Sequence, residues 1–430
     1  MGNDTIFALA TPPGKSGVAI VRVSGPSAFA AASQMVQVKT PFDRPRLRRL
    51  WGEAGDHIDT ALIVPFAAGA SFTGEETVEF HLHGSAAVIQ RMLRELSGLD
   101  GMRPAQAGEF TRRAVENDRL SLDAVEGLAD LIDAETEAQR RQALRVASGQ
   151  LRERTEVWRA HLIRARALIE ATIDFADEEV PEDVSPEVGQ ILGALKVELR
   201  QEAAGAAISE RIRDGFEVAI VGPPNVGKST LLNRLAGRDA ALTSSVPGTT
   251  RDVIEVRTDL RGLPVTFLDT AGLRETTDEV ERMGVARGED RAAAADIRIV
   301  MVDPEAPEKD PKKDQSDIVV SAKADEFPAT NGVSGLTGLG VDALVDQVAD
   351  RLEERAAGSG LAIRERQRLA MEQAATHASR ALALLDSGEE DMAILAEELR
   401  SAVQALEELT GRISVETVLG EIFQSFCIGK

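Results

Sequence analysis

The sequence predicts a mixed architecture, α/β plus all-α: an N-terminal α/β domain, then a helical domain interrupted by an inserted phosphate-loop domain. Three observations predict it. Residues 1–118 carry short β-branched runs separated by Pro and Gly turns. From Leu120 onward apolar residues recur at helical spacing. Between two such helical stretches, Phe216-Glu217-Val218-Ala219-Ile220-Val221 runs into Gly222-Pro223-Pro224-Asn225-Val226-Gly227-Lys228-Ser229, a strand, a Gly-rich loop and a helix start.

In the N-terminal part the strands are expected at Thr5–Ala10, Val18–Val23, Ala61–Pro65 and Val78–Leu82, with a helix near 86–97. Turns fall at Thr11-Pro12-Pro13-Gly14 and Phe72-Thr73-Gly74. Arg22 and Glu79 interrupt otherwise apolar strands, so each either faces solvent or serves a site. His81 and His83 share one strand face, but no third ligand accompanies them, and they read as ordinary strand histidines rather than a metal pair.

Leu122, Val125, Leu128, Ala129 and Ile132 begin the helical pattern, which continues past Leu151, Val157 and Leu168 to about Phe175. An acidic, Pro-containing link follows at 177–183, then a helix at about 186–213. Helical periodicity returns at 361–387, 391–410 and 414–425. The expected domains are therefore 1–118, 119–214, 215–353 and 354–430, the second and fourth forming one helical domain.

Composition bounds the function. The 430 residues suit about three domains. No run of 18 apolar residues and no basic-then-apolar leader occur, so a soluble cytoplasmic protein without membrane attachment is expected. The single cysteine, Cys427, excludes an internal disulfide framework and a Cys-based zinc site. The net charge of −22 excludes coating of nucleic acid through bulk charge. Residues 1–120, however, hold 13 Lys+Arg and 13 Asp+Glu, so any nucleic acid must use a local basic patch.

The nucleotide motifs give the sharpest chemistry. Gly222 and Gly227 let successive N–H groups face phosphate oxygens, and the helix opening at Lys228-Ser229-Thr230 adds its dipole. Lys228 is placed for the β- and γ-phosphates and the Ser229 hydroxyl for Mg²⁺. Val265-Thr266-Phe267-Leu268-Asp269-Thr270-Ala271-Gly272 is a second strand: Asp269 holds Mg²⁺ through water and the Gly272 N–H meets a γ-phosphate. Ser244-Ser245-Val246-Pro247-Gly248-Thr249-Thr250-Arg251-Asp252 reads as a switch loop, with Thr250 a Mg²⁺ ligand while γ-phosphate is present. After Ile318-Val319-Val320 comes Ala322-Lys323-Ala324-Asp325. The Asp325 carboxylate can accept the N1–H and exocyclic amine of guanine, which adenine cannot offer together, and the Lys323 stem can cover the base. GTP is the expected nucleotide.

Three departures from the usual GTPase pattern stand out. Ala322 replaces the customary Asn. Only about 15 residues, polar and Pro-rich, separate Met301-Val302-Asp303 from the next strand, which leaves little room for the usual helix. Leu273 replaces the Gln that orients water in Ras-like enzymes. Asp278, Glu279 or Glu281 could take that role. Arg251 and Arg274 are available as cationic stabilisers, as is a monovalent cation ligated by the neutral oxygen of Asn225.

Cys427-Ile428-Gly429-Lys430, with Thr11-Pro12-Pro13-Gly14, Gly108-Glu109-Phe110-Thr111 and Gly248-Thr249-Thr250-Arg251-Asp252, resembles the MnmE (TrmE) family of tRNA-modification GTPases, in order and over nearly the whole chain. The resemblance implies a folate-binding, dimerising N-terminal domain, a helical domain and an inserted Ras-like G domain. It implies a partner of MnmG type carrying FAD, with which an aminomethyl or carboxymethylaminomethyl group is placed on carbon 5 of the tRNA wobble uridine. The one-carbon unit comes from a tetrahydrofolate (5-formyl or 5,10-methylene). Matching motifs place folate contacts on Arg22, Glu79, Arg119 and Lys430, and K⁺ ligands on Asn225, Ser244, Val246 and Thr249. Mg²⁺ falls on Ser229 and Thr250, and the water-orienting glutamate on Glu281. Cys427 is then a candidate nucleophilic thiolate, against the plainer reading of a small buried residue. A ribosome-assembly GTPase of Era or Der type is the competing reading; it would bring a basic RNA-binding domain that the acidic helical flanks do not resemble. A generic phosphate-loop ATPase is disfavoured by Asp325.

Overall fold

The computed structural model describes residues 4–37, 43–174, 184–238, 255–269, 290–306, 314, 317–387, 392–409 and 429. The chain divides into two compact units, Met1–Ala129 with Thr410–Lys430, and Asp130–Leu409.

The first unit is built on strands β1 (Thr5–Leu9), β2 (Ser16–Ser24), β3 (Arg46–Trp51), β4 (His57–Phe66), β5 (Thr77–Gly84) and β6 (Met102–Pro104). They form one sheet in the order β3-β4-β5-β2-β1-β6, antiparallel except for the parallel β1–β6 pair. The period-two pattern divides its faces. Phe7, Val21, Val23, Ala61, Ile63, Val78, Phe80 and Leu82 point to one side. There they meet Ala28, Ala32 and Met35 of α1 (Ala28–Val36) and Met92 and Leu96 of α2 (Ala86–Ser97). The other face carries Ile6 and Ala8, packed with Ala105 and with Phe110 of α3 (Glu109–Glu116), against half-buried Phe72. Arg22 and Glu79 lie directly opposite each other in the β2–β5 register. The Ser85 hydroxyl caps α2 by accepting the Val88 N–H at 3.2 Å. A further helix, α4, spans Leu122–Asp133.

The second unit contains α5 (Glu137–Ala147), α6 (Gln150–Asp174), α7 (Ser185–Asp214), α8 (Lys228–Ala236), α9 (Val341–Ala356), α10 (Glu365–Ser387) and α11 (Met392–Leu409). The continuous helical pattern from Leu120 thus resolves into separate helices. One reason is Thr136, whose hydroxyl and the side chain of Gln139 form a capping box that starts α5 afresh. Helices α6, α7, α10 and α11 share one core: Trp158, Leu162 and Ile169 meet Leu192, Leu195 and Leu199, Ala374 and Ala378, and Leu399 and Leu406. The alanines of α10 allow close approach to α7.

Strands β7 (Phe216–Val221), β8 (Glu255–Leu260), β9 (Leu263–Asp269), β10 (Ile297–Val302) and β11 (Ile318–Ser321) form the second sheet, in the order β11-β10-β7-β9-β8. Only the β8–β9 pair is antiparallel. Every residue of β9, which lies between β7 and β8, is buried. Between β10 and β11 none of the described residues is helical, in line with the short spacing there.

Several elements were not legible in the sequence: α1, α3, the short β6, and β3, where four of six side chains are Arg or Trp. The expected helix at 414–425 lies outside the described residues.

Candidate nucleotide site and a polar cluster

The loop after β7 is shaped by its glycines. A Cβ on Gly222 would stand 2.7 Å from the Met301 carbonyl oxygen of the neighbouring strand, so only glycine lets the loop leave the sheet there. Gly227 turns at φ +107° immediately before α8. Asn225, exposed at the loop tip, adopts φ +61°. Buried Val226 pins the loop to the core, while Thr230 is exposed on the first turn of α8.

Lys228 folds back over this loop. Its Nζ donates to the carbonyls of Gly222 at 2.7 Å and Pro223 at 2.8 Å. Burial pushes its pKa below the ordinary lysine range, and the Asp269 carboxylate only partly opposes this. A buried ammonium held by neutral carbonyls is suited to receive an anion. Ser229 Oγ donates to Asp269 Oδ2 at 2.5 Å. Asp269 ends β9 opposite Ile220 and is fully buried. Hydroxyl and carboxylate together are the hard oxygen donors that Mg²⁺ prefers.

At the other end of the sheet, β11 leads into the Lys323 loop. Ala322 is wholly buried within the sheet core, and its N–H donates to the Val302 carbonyl. The residue at this position is thus part of the packing. Lys323 takes φ +52°, and its Nζ bonds Glu305 Oε2 at 3.1 Å, which raises its pKa. Asp325 is exposed. Sequence reasoning passed over the loop from Val333 to Gly335. The Ala324 N–H donates to the Val333 carbonyl, and a Cβ on Gly335 would lie 2.6 Å from the Leu231 nitrogen of α8. This loop therefore touches both the Lys323 segment and the phosphate-loop helix. The Ser334-Gly335-Leu336-Thr337-Gly338 run was its available signal.

In the first unit, Arg22 and Glu79 are brought together. Arg22 Nη2 lies 2.9 Å and Nε 3.0 Å from Glu79 Oε1. The guanidinium sits 5.7 Å from the ring centres of both Phe72 and Phe110. His81 Nε2 bonds Glu79 Oε2 at 3.2 Å, whereas His83 Nδ1 bonds Asp59 at 2.7 Å. Each histidine thus has its own carboxylate, and among the described residues no group of three metal-ligating side chains occurs. Arg119 is exposed, with its stem beside Gly74 in the loop that carries Phe72.

The aromatic wall under Arg22 is anchored by Glu109, neighbour of Phe110. Burial would raise the Glu109 carboxyl. Donors from Arg103 (2.5 and 2.8 Å), the Gln106 N–H (2.9 Å) and Arg113 (3.1 Å) overcome this and hold it at about 2. Arg113 also binds Asp4 and Glu75.

Ser244, Ser245, Val246, Pro247, Gly248, Thr249, Thr250, Thr270, Ala271, Gly272, Glu281, Cys427 and Lys430 lie outside the described residues.

Comparison with known proteins extends this picture. The family model described as "MnmE helical domain" matches residues 122–427, and that described as "GTP-binding protein TrmE N-terminus" matches 5–119. The proteins named "tRNA modification GTPase MnmE" from Ruegeria pomeroyi and Cereibacter sphaeroides are each 56% identical, over 99% of this chain and 100% of theirs. That from Paracoccus denitrificans is 51% identical over the same shares. Among solved structures, Era of Aquifex aeolicus bound to GDP and aluminium fluoride is 27% identical, covers 37% of this chain and 66% of its own, and superposes with a TM-score of 0.26. With a phosphate loop, the adjacent Ser229–Asp269 pair and matches running from residue 5 to residue 427, the chain belongs to the MnmE family of tRNA modification GTPases.

Proposed function

We propose that this protein hydrolyses GTP and acts in tRNA modification. The observation that carries the reading is the union, in one chain, of the Lys228–Ser229–Asp269 cluster with a family likeness that spans its whole length. In this reading Lys228 meets the β- and γ-phosphates, and Ser229, Thr250 and Asp269 hold Mg²⁺, directly or through water. When bound, Mg²⁺ supplies charge neutralisation at the phosphate oxygens. Asn225, Ser244, Val246 and Thr249 would hold K⁺, and Glu281 would orient the attacking water. Asp325 and Lys323 select guanine.

The finer reading concerns the tRNA chemistry. With an MnmG-type FAD partner, the protein would install a (carboxymethyl)aminomethyl group at carbon 5 of the wobble uridine. A tetrahydrofolate carrying the one-carbon unit would bind at Arg22, Glu79, Arg119 and Lys430. The paired, aromatic-walled setting of Arg22 supports this: a guanidinium and a carboxylate side by side can address complementary groups on a pterin ring. Cys427 is the candidate nucleophile. The domain limits 1–118, 119–214, 215–353 and 354–430, a homodimer through the N-terminal domain and a cytoplasmic location complete the proposal. Among the described residues no helix is long and apolar enough to cross a membrane.

Mass spectrometry of nucleosides from bulk tRNA tests it, comparing wild-type cells, cells lacking the protein and cells with Cys427→Ser. Loss of the modified wobble uridine in both altered strains supports the function and the thiol's part in it. Loss in the null strain alone keeps the function and removes Cys427. Unchanged nucleosides in all three strains refute the tRNA assignment.

A further inference from the structure

We infer that β3 is a docking strip for the phosphate backbone of the tRNA, an inference that rests on the tRNA reading above. Arg44, Arg46, Arg48 and Arg49 stand within six residues. The neighbouring acid is Asp43, whose Oδ1 pairs with Arg46 at 3.1 Å and also interacts electrostatically with Arg44. Arg48 and Arg49 have no carboxylate partner among the described residues. Across the ladder they face Ala61 and Thr60, and Arg46 faces Ile63; the carboxylate of the partner strand, Asp59, lies opposite Leu50 and is taken up by His83. In a chain of net charge −22 this leaves a concentrated positive strip.

Its position suits a polyanion. β3 is the outer strand of the sheet, so among the described residues one of its edges is not taken up by a neighbouring strand. Arg44 and Arg49 are exposed, and Leu47 between them is 63% exposed. Alternation sends half-buried Arg46 and Arg48 to the face that carries Leu50, Ala61 and Ile63, and exposed Arg49 to the other, so positive charge lies on both faces of the strand. Same-side positions repeat every ~7 Å, close to the step between neighbouring phosphates on an extended nucleic-acid strand. Trp51 ends the row on the same side as Arg49, in edge contact with His57 at 5.5 Å between ring centres. An amphipathic aromatic beside a basic row is the usual composition of a single-strand contact. Charged edge strands also guard against sheet-to-sheet association, a task for which lysine serves well. Here all four are arginine, whose planar fork matches phosphate.

The experiment uses the full chain and an unmodified tRNA transcript, with affinity measured across salt concentrations. Arg44→Gln/Arg48→Gln/Arg49→Gln is compared with wild type and with the corresponding triple Lys variant. Thermal unfolding followed by circular dichroism serves as the folding control for the first unit, where the three residues lie, and basal GTP hydrolysis as the control for the second. The expected result is a loss of at least about tenfold in tRNA affinity and a salt slope shallower by ~2 or more. The Lys variant should recover most of the slope, and basal hydrolysis should stay unchanged. Wild-type affinity and slope in the Gln variant overturn the inference while leaving the tRNA function intact. Self-association of the Gln variant with unchanged tRNA binding likewise overturns it and makes the row an edge guard. A wild-type protein that does not bind tRNA removes the functional reading and this strip with it.

Discussion

Ser229 Oγ donates a 2.5 Å hydrogen bond to Asp269 Oδ2, joining the first turn after the phosphate loop to the end of a fully buried strand. The bond holds a hydroxyl and a carboxylate together where the proposed reading puts Mg²⁺. Asp269→Asn keeps a polar group of the same size but removes the charge. It should leave the fold intact, move the Mg²⁺ requirement for GTP hydrolysis to higher concentration and cut turnover by roughly a hundredfold or more. A magnesium titration of hydrolysis checks this, and an unchanged midpoint and rate would remove Asp269 from the cation site.

Arg22 is gripped on three sides, by Glu79 and by the rings of Phe72 and Phe110. Lysine cannot reproduce the fork or the flat stacking. Arg22→Lys should therefore weaken binding of 5-formyltetrahydrofolate by about tenfold while changing thermal stability little. Calorimetric titration reads the affinity. Equal binding by both proteins would make the pair a structural one.

The legible parts of this chain were those in which pattern and chemistry coincide. The strand–loop–helix at 216–236 follows from its β-branched run and its glycines, and α7 and α10 follow from long unbroken periodicity. Strand β3 was hidden because its side chains are arginines, and its β-structure comes from pairing with β4 rather than from apolar alternation. Helix α3 was hidden because its polar Glu109 and Arg113 are buried, satisfied by partners as distant in sequence as Asp4. The role of Phe110 could be inferred only once Arg22 was seen beside it. The Ser334–Gly335 loop was missed because its contacts with Leu231 and Ala324 are wholly tertiary.

Asp325 stands exposed at the end of the Lys323 loop, free to meet a base. A carboxylate accepts two donors from guanine, and an asparagine presents one acceptor and one donor instead. Asp325→Asn should lower GTP affinity by at least about a hundredfold and favour xanthosine triphosphate, whose carbonyl accepts the new N–H. Displacement of a fluorescent guanine nucleotide by each triphosphate measures the switch. If GTP still competes as in wild type, base selection lies elsewhere, and the Ser334 loop becomes the next place to look.

Glu109 should make the first unit sensitive to acid. Its folded carboxyl sits at about 2, against 4.5 for an unstrained glutamate. A depressed carboxylate contributes stability that is fully present above the unfolded value and is lost as pH falls through the folded one. The contribution, of the order of 2 kcal/mol, should therefore be complete at pH 6 and decline from about pH 4.5 toward about pH 2. Glu109→Gln leaves the Arg103 and Arg113 guanidiniums with a weaker acceptor. It should cost roughly 2–4 kcal/mol at neutral pH and flatten this acid limb. Trp51 reports on the first unit once Trp158, the other tryptophan, is replaced by Phe. Urea unfolding followed by Trp51 fluorescence from pH 6 to pH 3 then separates the two proteins. Parallel acid limbs in the wild type and Glu109→Gln would assign the sensitivity to other carboxylates and leave the Arg103–Glu109–Arg113 cluster without the proposed weight.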